Sequence, residues 1–169
     1  MEPEKLTEND AELWRKFHQS EGYFYWDRRE FLLKCIKRTL AVKNALNNPS
    51  NRGTALRLLL YLGVEEIIPF FDELVDLASV GHSDIGLVRE VILLLPREFL
   101  VANIEKSAEP VLRDAMKHKD SYEEYRRLLE LYMEIDRDLT KRLAERALAS
   151  DDEDIREAGQ YAMDWLNEG

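Results

Sequence analysis

The chain has 169 residues, 45% of them hydrophobic and 34% charged, with a formal net charge of −10. That is enough for one compact domain with a sizeable core, while the single Cys35 excludes an internal disulfide and a multi-cysteine metal site. No stretch approaches the roughly 18 apolar residues that cross a bilayer, and the acidic start MEPEKLTENDAEL lacks the basic-then-apolar order of a signal peptide, so a cytoplasmic protein without membrane contact is expected.

Taken in order, residues 7–20 read as an amphipathic helix holding Leu13, Trp14 and Phe17, with Thr7 or Asn9 as its cap. The segment GYFYWD, residues 22–27, then places a glycine before four aromatics, and Asp27 suits the start of a helix over 28–47. Cys35 within that helix reads as a small buried hydrophobe. Asn47-Asn48-Pro49-Ser50 breaks the pattern. A helix over 51–62 follows, with Gly63 as its C-terminal cap. Further helices are expected over 64–79, 84–95, 97–105, 107–118, 121–135, 137–149 and 152–167, with Pro69 early in the first of them. No strand-like alternation of useful length occurs.

Four of these helices open on the same pattern. Ala55-Leu58-Leu59-Leu62, Val88-Val91-Ile92-Leu95, Tyr125-Leu128-Leu129-Tyr132 and Ile155-Ala158-Gly159-Ala162 each place apolar or small residues at i, i+3, i+4 and i+7. That is one face of a helix. The starts lie 33, 37 and 30 residues apart, a recurrence that signals an array of helical hairpins. Each hairpin is too thin to bury its own apolar face, so stacked neighbours must complete the core.

The fragment SDDEDIREAGQYAM, residues 150–163, carries an acidic turn, then an apolar-Arg pair, then small apolar residues. Val88-Arg89 and Tyr125-Arg126 repeat the pair of Ile155-Arg156, and Asp84, Asp120 and Asp151 or Asp152 supply acidic turns. In these features residues 31–167 resemble short bacterial HEAT-like repeats. The first hairpin departs from the pattern, with Ala55-Leu56-Arg57 and Asn51 where an acid would stand. The resemblance implies an all-α fold, a right-handed α-solenoid of about four hairpins over residues 31–169. It also implies a ladder of acids and arginines between repeats, and second helices that line a concave side. Residues 1–30, with their aromatics, read as an N-terminal helical cap over the exposed core end.

Six positions after the quartet starts stand Tyr61, Leu94, Leu131 and Tyr161, all apolar or aromatic. Glu90, Glu130 and Glu157 flank them, and Asp164 lies one turn beyond Tyr161. These eight residues are the candidate protein-binding set, an apolar row edged by acids that grips a partner with a basic surface. The competing reading is that the row is core, because apolar positions at helical spacing usually are. Charge is unevenly spread: residues 31–63 carry no acid and six bases. Lys34, Lys37, Arg38, Arg52 and Arg57 among them form the alternative, nucleic-acid-binding set. The acid surplus elsewhere repels phosphate and weighs against it.

No catalytic constellation is legible. His18, His82 and His118 are far apart without metal-ligand spacing, and no glycine-rich phosphate loop occurs. The expectation is a non-enzymatic, cofactor-free protein-binding module. One concrete form is an immunity protein that neutralises a nuclease-type toxin by mimicking phosphate charge. The alternatives are an adaptor or assembly factor of a larger complex, and a nucleic-acid-binding or repair protein using the basic hairpin.

Overall fold

Thr7 opens the first helix as a capping residue should: its hydroxyl accepts the Asp10 N–H at 3.2 Å and the Asp10 carboxylate accepts the Thr7 N–H at 3.3 Å. The computed structural model describes residues 7–117 and 122–168, and all regular structure among them is helical. His118 and the expected turn acid Asp120 lie outside the described residues. No helix among those described is long and apolar enough to cross a membrane. By compactness the chain divides into two units, Met1–Ala41 and Val42–Gly169.

In the first unit a single helix, α1 (Glu8–Lys34), replaces the two helices and aromatic break expected there. One glycine inside a helix costs only about 1 kcal/mol relative to alanine, and one local pair spans it while others follow. Gln19 donates to the Tyr23 hydroxyl at 3.3 Å and Lys34 to Glu30 at 2.8 Å. The Arg28 guanidinium lies 5.4 Å from the Tyr25 ring and that of Arg29 lies 5.6 Å from Trp26. Asp27 is therefore mid-helix and caps nothing. Cys35 is half-buried in the extended residue that ends α1, not within an apolar helix. No residue of α1 is buried, and Trp14, Phe17, Tyr23 and Trp26 are all exposed. Helix α2 (Arg38–Leu46) follows.

In the second unit Asn48 caps α3 (Pro49–Leu59), its side chain accepting the Ser50 N–H at 3.0 Å with Pro49 in the first turn. Gly63 is not the C-cap of α3. It stands before α4 (Val64–Ile67) with extended backbone, and its N–H is bonded by the Glu66 carboxylate at 3.3 Å. Pro69 splits the helix expected over 64–79: a 3-10 turn at Ile68–Phe70 separates α4 from α5 (Phe71–Ser79). Proline offers no N–H to the ladder and its ring crowds the preceding turn. Helix α6 covers Ile85–Leu93. Residues 97–105 and 107–115 form one helix, α7 (Arg97–Ala115), not two. Its buried residues Leu100, Ile104, Ala108, Leu112 and Ala115 make one uninterrupted stripe, and Lys106 and Ser107 between them are no breakers. Helices α8 (Tyr122–Ile135), α9 (Arg137–Leu148) and α10 (Glu153–Glu168) complete the chain. Asp136 caps α9 by accepting the Asp138 and Leu139 N–H groups, and Asp152 does the same for Asp154 and Ile155.

Helices of the second unit pack on neighbours one to three places along the chain. α5 meets α6, α7 and α8; α8 meets α7, α9 and α10; α9 meets α10; α3 meets α6. The last three quartets are buried throughout, whereas in the first only Ala55 and Leu59 are: Leu58 is half-buried on α3 and Leu62 lies beyond its end. Gly159 brings α10 close to α9. A Cβ there would stand 2.7 Å from the Ala147 Cβ and 3.0 Å from the Ala144 carbonyl oxygen.

Ion pairs tie alternate helices, though mostly not through the residues expected. Arg89 on α6 reaches α8, donating to Glu130 at 2.8 Å and to the Arg127 carbonyl at 3.1 Å. Arg156 instead bonds the Ser150 carbonyl of its own turn at 2.9 Å. The main ladder joins α7 to α9. Arg142 holds Glu105 through two bonds of 2.9 and 3.1 Å, Arg146 holds Glu109 through two of 2.5 and 3.2 Å, and Arg97 pairs with Asp136.

Candidate protein-binding groove

Four-residue spacing keeps side chains on one line of a helix. On α8 it aligns Tyr122, Arg126, Glu130 and Glu134; on α10 it aligns Glu157, Tyr161 and Trp165. Because α8 and α10 pack side by side, the two lines face each other across an open groove of about 720 Å3, completed by Glu123, Met133, Asp154 and Ala158. The lining carries five carboxylates, three large aromatic rings and one guanidinium.

That guanidinium is engaged. Arg126 donates to Glu123 at 2.8 Å and lies 4.0 Å from Glu130. Arg127 also donates to Glu123, at 2.9 Å. Arg89 supplies the second cation for Glu130 and lies 3.7 Å from Glu134. Burial would raise the Glu123 carboxyl, but the bonds from Arg126 and Tyr122 outweigh it and hold it below the ordinary range. The same bond to Glu123 pushes the Tyr122 phenol up. On the α10 side, among the described residues, no ion pair holds Asp154 or Glu157. The groove is therefore negatively charged at its α10 wall, beside exposed aromatic surface: Tyr161 is 65% exposed.

Of the eight candidate residues, Glu130, Glu157 and Tyr161 line this groove. Asp164 is exposed on α10 outside the lining, where its carboxylate accepts from the Gln160 amide at 2.8 Å. Tyr61 and Leu94 are exposed just past the ends of α3 and α6, and Glu90 is exposed on α6; none lines the groove. Leu131 is fully buried, so it belongs to the core and not to a surface row. The reason is that α8 packs against α5, α7, α9 and α10, and so buries a face wider than the quartet.

The basic set is partly structural. Arg38 donates to the Leu32 carbonyl and Arg52 to the Leu46 carbonyl, each at 2.9 Å, and Lys34 pairs with Glu30. Lys37 and Arg57 are exposed. His82 is a turn residue: one ring nitrogen accepts the Asp84 N–H at 3.1 Å and the other lies 3.1 Å from the Leu77 carbonyl. Among the described residues no cluster of three or more His, Cys, Asp or Glu side chains is placed to hold a metal ion.

Tyr122, Met133 and Trp165 escaped the sequence reading because they stand outside the offsets compared between repeats. Asp154 was legible only as a helix-start acid. The four-residue spacing of Glu157, Tyr161 and Trp165 is the signal that would have found this wall. No protein-family model, no curated protein and no solved structure matches the chain.

Proposed function

We propose that the chain is a non-enzymatic protein-binding module, built as a right-handed HEAT-like α-solenoid, that holds a partner of basic surface along the α8/α10 groove. The observation that carries this is the excess of carboxylate over cation in a groove lined by three aromatic rings, of which Tyr161 is exposed. Such a surface steers a basic partner by charge and anchors it through aromatic contact. The packing of α5 with α6, α7 and α8 and of α8, α9 and α10 with one another, with ion pairs between α7 and α9, supports the solenoid reading. The net charge of −10 favours, within this class, an inhibitor or immunity protein facing a nuclease-type toxin over a neutral adaptor. Phosphate would be repelled from the same wall, which counts against nucleic acid.

Affinity capture from native lysate, with and without nuclease, using wild type and Tyr161→Arg, tests the proposal. The expected result is one basic protein recovered in near-equal amount, insensitive to nuclease and lost with Tyr161→Arg while the far-ultraviolet helical signal persists. Recovery that vanishes with nuclease, or that Tyr161→Arg leaves unchanged, overturns it.

A further inference from the structure

Resting on that reading, we infer that the chemical group taken by the groove is the arginine side chain, presented by a basic segment of the partner, and that Tyr161, Trp165 and Glu157 form the subsite that receives it. A cation-binding wall needs an acceptor for charge and a face for the apolar part of the ligand. Glu157, Tyr161 and Trp165, spaced by four residues along α10, supply both in one line. A planar guanidinium uses such a wall fully, since it stacks on a ring while its N–H fork bonds carboxylates in the ring-parallel plane. An ammonium makes one of these contacts at a time.

The chain itself shows the pairing. The Arg137 guanidinium lies 5.3 Å from the centre of the Trp165 ring and donates to the Leu166 carbonyl. Within α1, Arg28 and Arg29 sit over Tyr25 and Trp26 in the same way. On the α7/α9 side every ladder carboxylate is closed by an arginine, two of them through paired bonds. In the groove the arginines Arg89, Arg126 and Arg127 gather at the α8 wall. Asp154 and Glu157 on the opposite wall are the acceptors for which, among the described residues, no arginine is supplied. A partner's arginine completes the pattern. An anionic ligand is opposed by five carboxylates, and a purely apolar helix would have to desolvate them.

The test is fluorescence anisotropy of labelled nona-arginine and nona-lysine against the whole chain at about 150 mM salt. Nona-arginine should bind at least about five-fold more tightly than nona-lysine, the margin expected from stacking plus forked bonding. Tyr161→Ala and Glu157→Gln should each erase most of that margin. Glu145→Gln removes the same charge from the exposed α9 surface, where Glu145 lies 3.9 Å from Lys141, and should leave the margin intact. Equal affinity for the two peptides, or equal effects of Glu157→Gln and Glu145→Gln, would reduce the binding to diffuse charge and overturn the inference. Competition separates this inference from the broader reading. If Tyr161→Arg releases the captured protein but nona-arginine neither binds nor competes, the arginine subsite fails and the docking groove stands. If nona-arginine binds through Glu157 and Tyr161 while protein capture ignores both, the subsite stands and the protein-binding function fails.

Discussion

The α7/α9 ladder and the α8/α10 groove are made of the same materials, glutamates and arginines on adjacent helical faces, and they differ in stoichiometry. In the ladder Glu105, Glu109 and Asp136 each have an arginine from the other helix. In the groove the cations cluster on one wall, and on the opposite wall Asp154 and Glu157 have no ion pair among the described residues. A matched seam has spent its charge on holding two helices in register. An unmatched one leaves charge that something else can use.

The largest effect is expected where the groove depends on backbone approach. Gly159→Val would press a branched side chain into Ala147 and the Ala144 carbonyl, already 2.7 and 3.0 Å from a mere Cβ. Overpacking of this kind costs about 3 kcal/mol, readable as a lower urea midpoint. Hydrogen exchange should accelerate first in α10, so that the groove is lost while the α7/α9 ladder persists. Unchanged exchange in α10 would mean the two helices are not in that contact.

Next come the tyrosines beneath the ladder. Tyr125 and Tyr132 are both buried, and burial pushes both phenols up. Tyr125 donates to the Leu143 carbonyl at 3.0 Å. The Tyr132 hydroxyl has no partner among the described residues and borders a cavity of about 120 Å3 roofed by Glu105, Glu109, Arg142 and Arg146. Tyr125→Phe should cost about 1 kcal/mol and Tyr132→Phe nearly nothing, since a buried hydroxyl contributes only when bonded. Equal losses in the two variants would place an ordered water on Tyr132.

What the sequence made legible follows from which interactions have a local period. Val88-Val91-Ile92-Leu95, Tyr125-Leu128-Leu129-Tyr132 and Ile155-Ala158-Gly159-Ala162 were readable as core because burial of a helix face repeats every three to four residues. The all-helical class follows from the same signal. The continuity of α1 through Gly22 and of α7 through Lys106 was not readable: no local rule weighs one poor helix former against the turns on either side. A ladder of acids and arginines was expected, but its members were hidden because Glu105 and Arg142, like Glu109 and Arg146, are 37 residues apart. They look like solvated charges until the helices are placed. The same offset picked out Tyr161, which is exposed, and Leu131, which is buried in the core. An offset fixes a direction from the helix axis but not which neighbour stands there.

The ladder acids also predict a pH dependence. Bonding to Arg146 holds the Glu109 carboxyl below its ordinary value, and the Leu139 N–H, with Arg97, does so for Asp136. A carboxylate whose folded value is depressed stabilises the fold fully above its unfolded value and loses that contribution as pH falls through the folded one. Stability should therefore decline as pH drops below about 4.5, and Glu109→Gln should flatten the decline. With the two side chains 35% and 41% exposed, solvent screening limits the Glu109 contribution that acid removes to about 0.5–1 kcal/mol.

The smallest effect is the one that decides the comparison. Glu157→Gln removes the same charge as Glu109→Gln, from a carboxylate that stands near Asp154 on α10 and has no ion pair among the described residues. Like charges on one helical face repel, so neutralising one of them should leave the urea midpoint unchanged or move it slightly upward, where Glu109→Gln moves it downward. A loss from one substitution and none from its chemically identical counterpart is the signature of an acid kept for something other than the fold. If Glu157→Gln instead lowers the midpoint as Glu109→Gln does, Glu157 is part of the scaffold. The α8/α10 groove is then a second ladder, and its surplus charge has a structural use.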